Sequence, residues 1–172
     1  MKNKIVGIAG WSGSGKTTLV EELIKIFKTK YKLSVCALKH AHKNFEIDQE
    51  GKDSFRFNKA GADQVIISSV KKWVLIKKVT ENEEELANLL KLTSNYNITL
   101  VEGWKYSKIK KIEVYREILK KEVLCKNDKN ILAIATNSEN INIPKNVKML
   151  NLNDYLKIAD FILKNNFSID YD

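Results

Sequence analysis

Lys4-Ile5-Val6-Gly7-Ile8-Ala9-Gly10-Trp11-Ser12-Gly13-Ser14-Gly15-Lys16-Thr17-Thr18 is the stretch on which the reading of this chain turns. It begins as a short apolar, β-rich run and passes into a glycine-rich turn. Gly10 to Thr17 satisfy G-x-x-x-x-G-K-[ST] in full. Leu19, Val20, Leu23, Ile24 and Phe27 then recur at helical spacing, and Glu21 stands four residues before Lys25. Glycines let successive backbone N–H groups converge on phosphate oxygens, and the helix behind adds its dipole and free N–H groups. Gly10, Ser12, Gly13, Ser14, Gly15, Lys16, Thr17 and Thr18 are thus expected to bind phosphate. Lys16 reaches the β- and γ-phosphates, and the Thr17 hydroxyl ligates Mg²⁺. A purely structural glycine-rich turn is the alternative; the strand before and the amphipathic helix behind favour the phosphate site.

Working outward, Leu33 to Leu38 is expected to be a second buried strand. Two such runs around one helix form a βαβ unit, which requires a parallel sheet. Residues 40 to 52 read as a polar, charged loop. Asp53 is expected to cap a short helix that stops at Gly61. Val65 to Ser68 and Trp73 to Val79 are placed as a hairpin. Thr80-Glu81-Asn82-Glu83 fits a capping box ahead of a helix carrying Leu86, Leu89 and Leu90. Ile98 to Val101, Ile112 to Tyr115 and Ile131 to Ala135 are further strands. A last helix starts near Asn153 and places Tyr155, Leu156, Ala159, Ile162 and Leu163 on one face. The expected fold is α/β, a P-loop NTPase-like three-layer arrangement with a mostly parallel sheet and an added antiparallel hairpin. Residues 1–172 are read as a single nucleotide-binding domain.

The 172 residues are 44% hydrophobic and 30% charged, the balance of an ordinary globular protein. The net charge of +9 suits a polyphosphate ligand. The lysines are scattered and not interleaved with aromatics, so no nucleic-acid partner is expected. No apolar run reaches membrane-spanning length, and no signal peptide precedes the first strand. Cys36 and Cys125 lack metal-ligand spacing, and Cys36 lies in an apolar run that suggests a buried, reduced thiol. A cytoplasmic location follows as an expectation.

A P-loop needs a second carboxylate to help hold its metal. Glu102 ends the apolar run Ile98-Thr99-Leu100-Val101, where an acid is costly without a role; the alternative is an exposed glutamate before a turn at Gly103. The charged loop carries His40, His42, Glu46 and Asp48. Its histidines lack the i, i+4 spacing of a helical zinc site, and no cysteine joins them. Asp48 or Asp53 in a switch-like contact with the γ-phosphate or Mg²⁺ is one reading of this region. A solvated loop is the other.

Several segments together resemble the MobB family of molybdopterin-guanine dinucleotide biosynthesis adapter proteins. They are Gly10 to Thr18, Leu38-Lys39-His40, Phe45-Glu46-Ile47-Asp48, Gly51-Lys52-Asp53-Ser54 with Arg56, Ala60-Gly61-Ala62, and Val101-Glu102-Gly103-Trp104-Lys105. The match covers the first two thirds of the chain and continues more loosely into Lys111-Ile112-Glu113-Val114-Tyr115-Arg116 and Ile131-Leu132-Ala133-Ile134-Ala135-Thr136, while the tail after Asn137 matches little. The resemblance implies bound GTP with Mg²⁺, weak GTPase activity, a homodimer, and assistance to the molybdopterin guanylyltransferase MobA, which attaches GMP to the molybdenum-bearing pterin cofactor. It implies Lys16 and Glu102 as the catalytic pair, Thr17 and Glu102 as metal ligands, and Lys39, His40, Asp48, Asp53 and Arg56 as further nucleotide-site residues. No N-K-x-D guanine motif is present, and Thr136-Asn137-Ser138-Glu139 stands only in its position. The competing reading is a small-molecule kinase. Such enzymes usually carry an arginine-rich lid, and Arg56 and Arg116 are the only arginines here.

Overall fold

The computed structural model describes residues 3–41, 45, 48–79 and 84–167. Along the chain run β1 (Lys4–Ala9), α1 (Lys16–Thr29), β2 (Val35–Lys39), α2 (Asp53–Lys59), β3 (Gln64–Ser68), β4 (Trp73–Lys77), α3 (Leu86–Lys91), β5 (Ile98–Glu102), β6 (Lys111–Tyr115), β7 (Ile131–Thr136), β8 (Lys148–Asn151) and α4 (Tyr155–Lys164). They fall into two compact units: Met1–His40 with Leu90–Asp172 make the larger, and Ala41–Leu89 the smaller.

The larger unit is built on a six-stranded sheet of order β2-β5-β1-β6-β7-β8. Every pairing in it is parallel. Central strands of a parallel sheet are covered on both faces and so read as continuous apolar runs; all five residues of β5 are buried. Val6, Ile8, Leu100, Ile112 and Val114 pack with Leu19, Leu23 and Phe27 of α1 and with Ile158, Ala159 and Ile162 of α4. A second cluster gathers Val123, Cys125, Ile131, Ile134 and Val147.

Charged groups tie the connection between β6 and β7 to the sheet. The buried Glu113 carboxylate accepts the backbone N–H groups of Leu124 and Cys125, at 2.8 and 2.9 Å. Lys111 is equally buried; its ammonium pairs with Asp128 at 2.9 Å and donates to the Ser107 carbonyl. Burial pushes the Glu113 carboxyl above its ordinary value, although the two N–H bonds pull the other way. Burial, with Glu113 alongside, pushes the Cys125 thiol up to about 12.

In the smaller unit, β3 and β4 pair antiparallel as a sheet of their own, in register from Gln64↔Lys77 to Ser68↔Trp73. The Ser69 N–H donates to the Lys72 carbonyl and closes the hairpin. Asp48 accepts from Ser54 Oγ at 2.7 Å and from Asn58 Nδ2 at 3.1 Å, which fastens the approaching loop to α2.

Several expectations need correction. Asp53 is the first residue inside α2, not its cap; Lys52 holds the cap position in an extended conformation without a side-chain bond. Gly61 does lie just past the helix end, with φ +107. The second strand starts at Val35 rather than Leu33, since the Leu33 and Ser34 N–H groups bond Phe27 and the Asn97 side chain. It is an edge strand and only partly covered, so Cys36 is half-buried; Cys125 is the buried thiol. On α4, Leu156 is 39% exposed while Ile158 is fully buried, because the apolar stripe runs 155-158-159-162. Strand β8 was not anticipated. It is short and mostly exposed, and apolar periodicity gives no signal there. The capping box at 80–83 and His42 lie outside the described residues.

Candidate functional site

The glycine-rich turn leaves β1 at its carboxyl end and enters α1. Gly10, Gly13 and Gly15 take φ of +143, +78 and +99, the left-handed region that side chains disfavour. A Cβ on Gly10 would sit 2.4 Å from the Val114 carbonyl oxygen, so the turn lies directly on the end of β6. Ser12 and Thr18 are exposed. Ser14 is buried, and its Oγ has no hydrogen-bond partner among the described residues. Such an orphan is costly unless something polar arrives.

Strand order brings the acid to the turn. β5 is hydrogen-bonded beside β1, with Glu102 in register with Ile8, so the carboxylate emerges next to α1. The Thr17 hydroxyl donates to it, at 3.0 Å from one oxygen and 3.2 Å from the other. β2 lies on the far side of β5 with Lys39 in register with Glu102. The Lys39 ammonium stands 3.6 Å from Glu102 Oε1 and 3.5 Å from Thr17 Oγ1. Lys16 folds over the turn and donates to the Trp11 carbonyl at 2.9 Å. Burial lowers the Lys16 pKa, and Lys105 and Lys39 lower it further against the opposing pull of Glu102. Three ammonium groups gathered about the turn, with one carboxylate among them, make a place for a polyanion.

His40 builds the turn that follows β5. Its N–H donates to the Glu102 carbonyl at 2.8 Å, and its ring stacks on Trp104 at 5.0 Å. A Cβ on Gly103 (φ +107) would fall 2.7 Å from His40 Cβ, so Val101-Glu102-Gly103-Trp104 requires glycine there. Asp48, Asp53 and Arg56 lie in the smaller unit. Asp48 bonds within it, and Asp53 and Arg56 form an exposed pair at 3.6 Å. The larger unit thus brings together Lys16, Thr17, Glu102, Lys39 and His40.

Arg116 belongs to this site although the sequence left its placement open. Its Nε donates to the Ser14 carbonyl at 3.0 Å, and the guanidinium packs against Gly15. The sequence signals were its rarity, as one of two arginines, and its place in Lys111–Arg116, where the family resemblance continues loosely. Trp11 also has a structural role: its indole N–H donates to the Glu122 carbonyl at 2.9 Å, and Lys105 lies 3.8 Å from the ring centroid. The turn is therefore braced by the segment that follows β6. The donor set suits Mg²⁺ and triphosphate: hard oxygens at Thr17 and Glu102, ammonium groups beside them, and the unpaired Ser14 hydroxyl within the turn.

Comparison with known proteins identifies the family. A family model described as "MobB: Molybdopterin guanine dinucleotide synthesis protein B" matches residues 5–137. The molybdopterin-guanine dinucleotide biosynthesis adapter protein of Haemophilus influenzae is 38% identical over 166 residues, 94% of this chain and 90% of the relative. That alignment carries well beyond Asn137, further than the sequence motifs alone suggested. The protein of the same name from Escherichia coli is 33% identical over 93% of this chain and 91% of its own length. Among solved structures, MobB of Bacillus subtilis superposes with a TM-score of 0.71 at 25% identity, covering 93% of this chain and 96% of the other. A crystal structure of molybdopterin-guanine biosynthesis protein B gives 0.70 at 26% identity, covering 92% and 96%. With its P-loop NTPase-like sheet, its Thr17–Glu102 pair and a family match over most of its length, this chain belongs to the MobB family.

Proposed function

We propose that this chain is a GTP-binding adapter in the biosynthesis of molybdopterin guanine dinucleotide, assisting a MobA-type guanylyltransferase as a homodimer. The observation that carries the nucleotide part is the Thr17–Glu102 pair set beside the P-loop lysine. The adapter part rests on the family and on the names its relatives bear. Gly10 to Thr18 wrap the phosphates with backbone N–H groups, and Lys16 turns from the Trp11 carbonyl to the β- and γ-phosphate oxygens. Thr17 and Glu102 hold Mg²⁺, which when bound neutralises phosphate charge and orients the γ-phosphate.

Hydrolysis is slow in this reading. The one arginine at the site uses its Nε to hold the Ser14 carbonyl, which braces the turn. Transition-state charge is then met chiefly by ammonium groups, which lack the planar fork of a guanidinium. Among the described residues, no helix is long and apolar enough to cross a membrane.

Calorimetric titration with GTP and ATP, each with and without Mg²⁺, tests the proposal. GTP is expected to bind more tightly than ATP, and more tightly with Mg²⁺ than without, while turnover stays slow. Equal or tighter ATP binding overturns the guanine assignment. Glu102→Gln keeps the shape and removes the charge, so the gain from Mg²⁺ should shrink by about tenfold. An unchanged Mg²⁺ titration removes Glu102 from the metal site.

A further inference from the structure

Lys39 is where the sheet places a positive charge that a metal-binding pair does not need. Its register partner across the β2–β5 pairing is Glu102, so both side chains leave the sheet at the same level and on the same side. The ammonium consequently stands within 3.6 Å of both oxygen groups expected to hold the metal. It forms no tight ion pair there. Contacts of 3.5 and 3.6 Å are long for a charge-assisted bond. The side chain is 60% exposed against 12% for Glu102, so it is held loosely and from the solvent side. A divalent ion held by the same pair and an ammonium at this distance repel each other at close range.

We propose that Lys39 is a built-in stand-in for the metal: its ammonium and Mg²⁺ are alternative cations on the Thr17–Glu102 pair, and Lys39 lets the P-loop hold triphosphate when Mg²⁺ is absent. Without metal, the ammonium offsets the Glu102 charge, which would otherwise face the incoming γ-phosphate. When Mg²⁺ enters, the exposed lysine side chain swings off the pair toward solvent or a phosphate oxygen. Lys16 cannot take this part, because its ammonium donates to the Trp11 carbonyl in the free turn and is assigned to the β- and γ-phosphates in the bound one. The inference rests on the nucleotide reading above and adds a specific role for an edge-strand residue.

The test is calorimetric titration with GTP in EDTA and in saturating Mg²⁺, on wild type, Lys39→Met and Lys39→Arg, with circular dichroism confirming the fold of each. Lys39→Met should lose about tenfold or more of metal-free affinity and less than about threefold of Mg²⁺-supported affinity, which widens the gain from metal. Lys39→Arg keeps the charge and should restore most of the metal-free affinity. Equal losses in EDTA and in Mg²⁺ would overturn the proposal, making Lys39 a plain phosphate contact. Unchanged binding in both would overturn it as well. Failure of wild type to bind GTP in either buffer would instead defeat the nucleotide reading, and this inference with it.

Discussion

Lys16→Ala should abolish measurable triphosphate binding while leaving the fold in place. The ammonium is the one side-chain charge that the motif itself aims at the β- and γ-phosphates. Hydrogen bonds to charged groups contribute about 1.5–3 kcal/mol each. Losing one or two of them weakens binding by roughly a hundredfold or more. The fold has little to lose. Lys16 is the first residue of α1, its side-chain bond is to a carbonyl in the adjoining turn, and alanine is the best helix former. Its removal also relieves the mutual repulsion of Lys16, Lys105 and Lys39. Titration with GTP and Mg²⁺ measures the first half of this result, and circular dichroism with a thermal scan measures the second. A variant that binds within about threefold of wild type would mean that the turn's N–H groups alone hold the phosphates.

Glu113→Ala should have the largest effect on stability, although no phosphate contact is assigned to this side chain. The carboxylate is the acceptor for two backbone N–H groups, those of Leu124 and Cys125, in the connection between β6 and β7. Truncation leaves both without a partner beneath the second core cluster. Each unsatisfied buried donor costs about 1–3 kcal/mol. A loss of about 3 kcal/mol would lower Tm by roughly 10 °C for a chain of this size. Urea unfolding measures it.

The deficit should also depend on pH. Burial raises the folded-state pKa of Glu113, so the native carboxyl holds its proton more tightly than the unfolded one. The proton-linked stability is therefore full below the ordinary carboxyl range and is withdrawn as pH rises through the raised value. The gap between wild type and Glu113→Ala should narrow over that interval. A gap that widens with pH would show the two N–H bonds outweighing burial.

Much of the candidate site was legible in the chain because it is local. Gly10 to Thr17 are contiguous, their glycines are required by the backbone they must adopt, and the apolar run before them and the amphipathic helix behind them announce the strand and helix of a βαβ unit. Glu102 was legible for a related reason, as an acid closing a buried apolar strand. Strand pairing was not. Nothing local to β1, β2 or β5 says that β5 lies between the other two, yet that order alone puts Glu102 beside Thr17 and Lys39 in register with Glu102. Arg116 reaches the Ser14 carbonyl across 102 positions of chain for the same reason, since β6 flanks β1 on its other side. Edge strands showed the limit most clearly. β8 pairs with β7 through backbone groups that every residue carries, so its side chains needed no apolar pattern to mark it. Local sequence chose the residues that can face a phosphate, through backbone freedom, helix termini and apolar periodicity. Tertiary pairing chose which of them meet, because parallel neighbours are joined by hydrogen bonds that carry no side-chain signature.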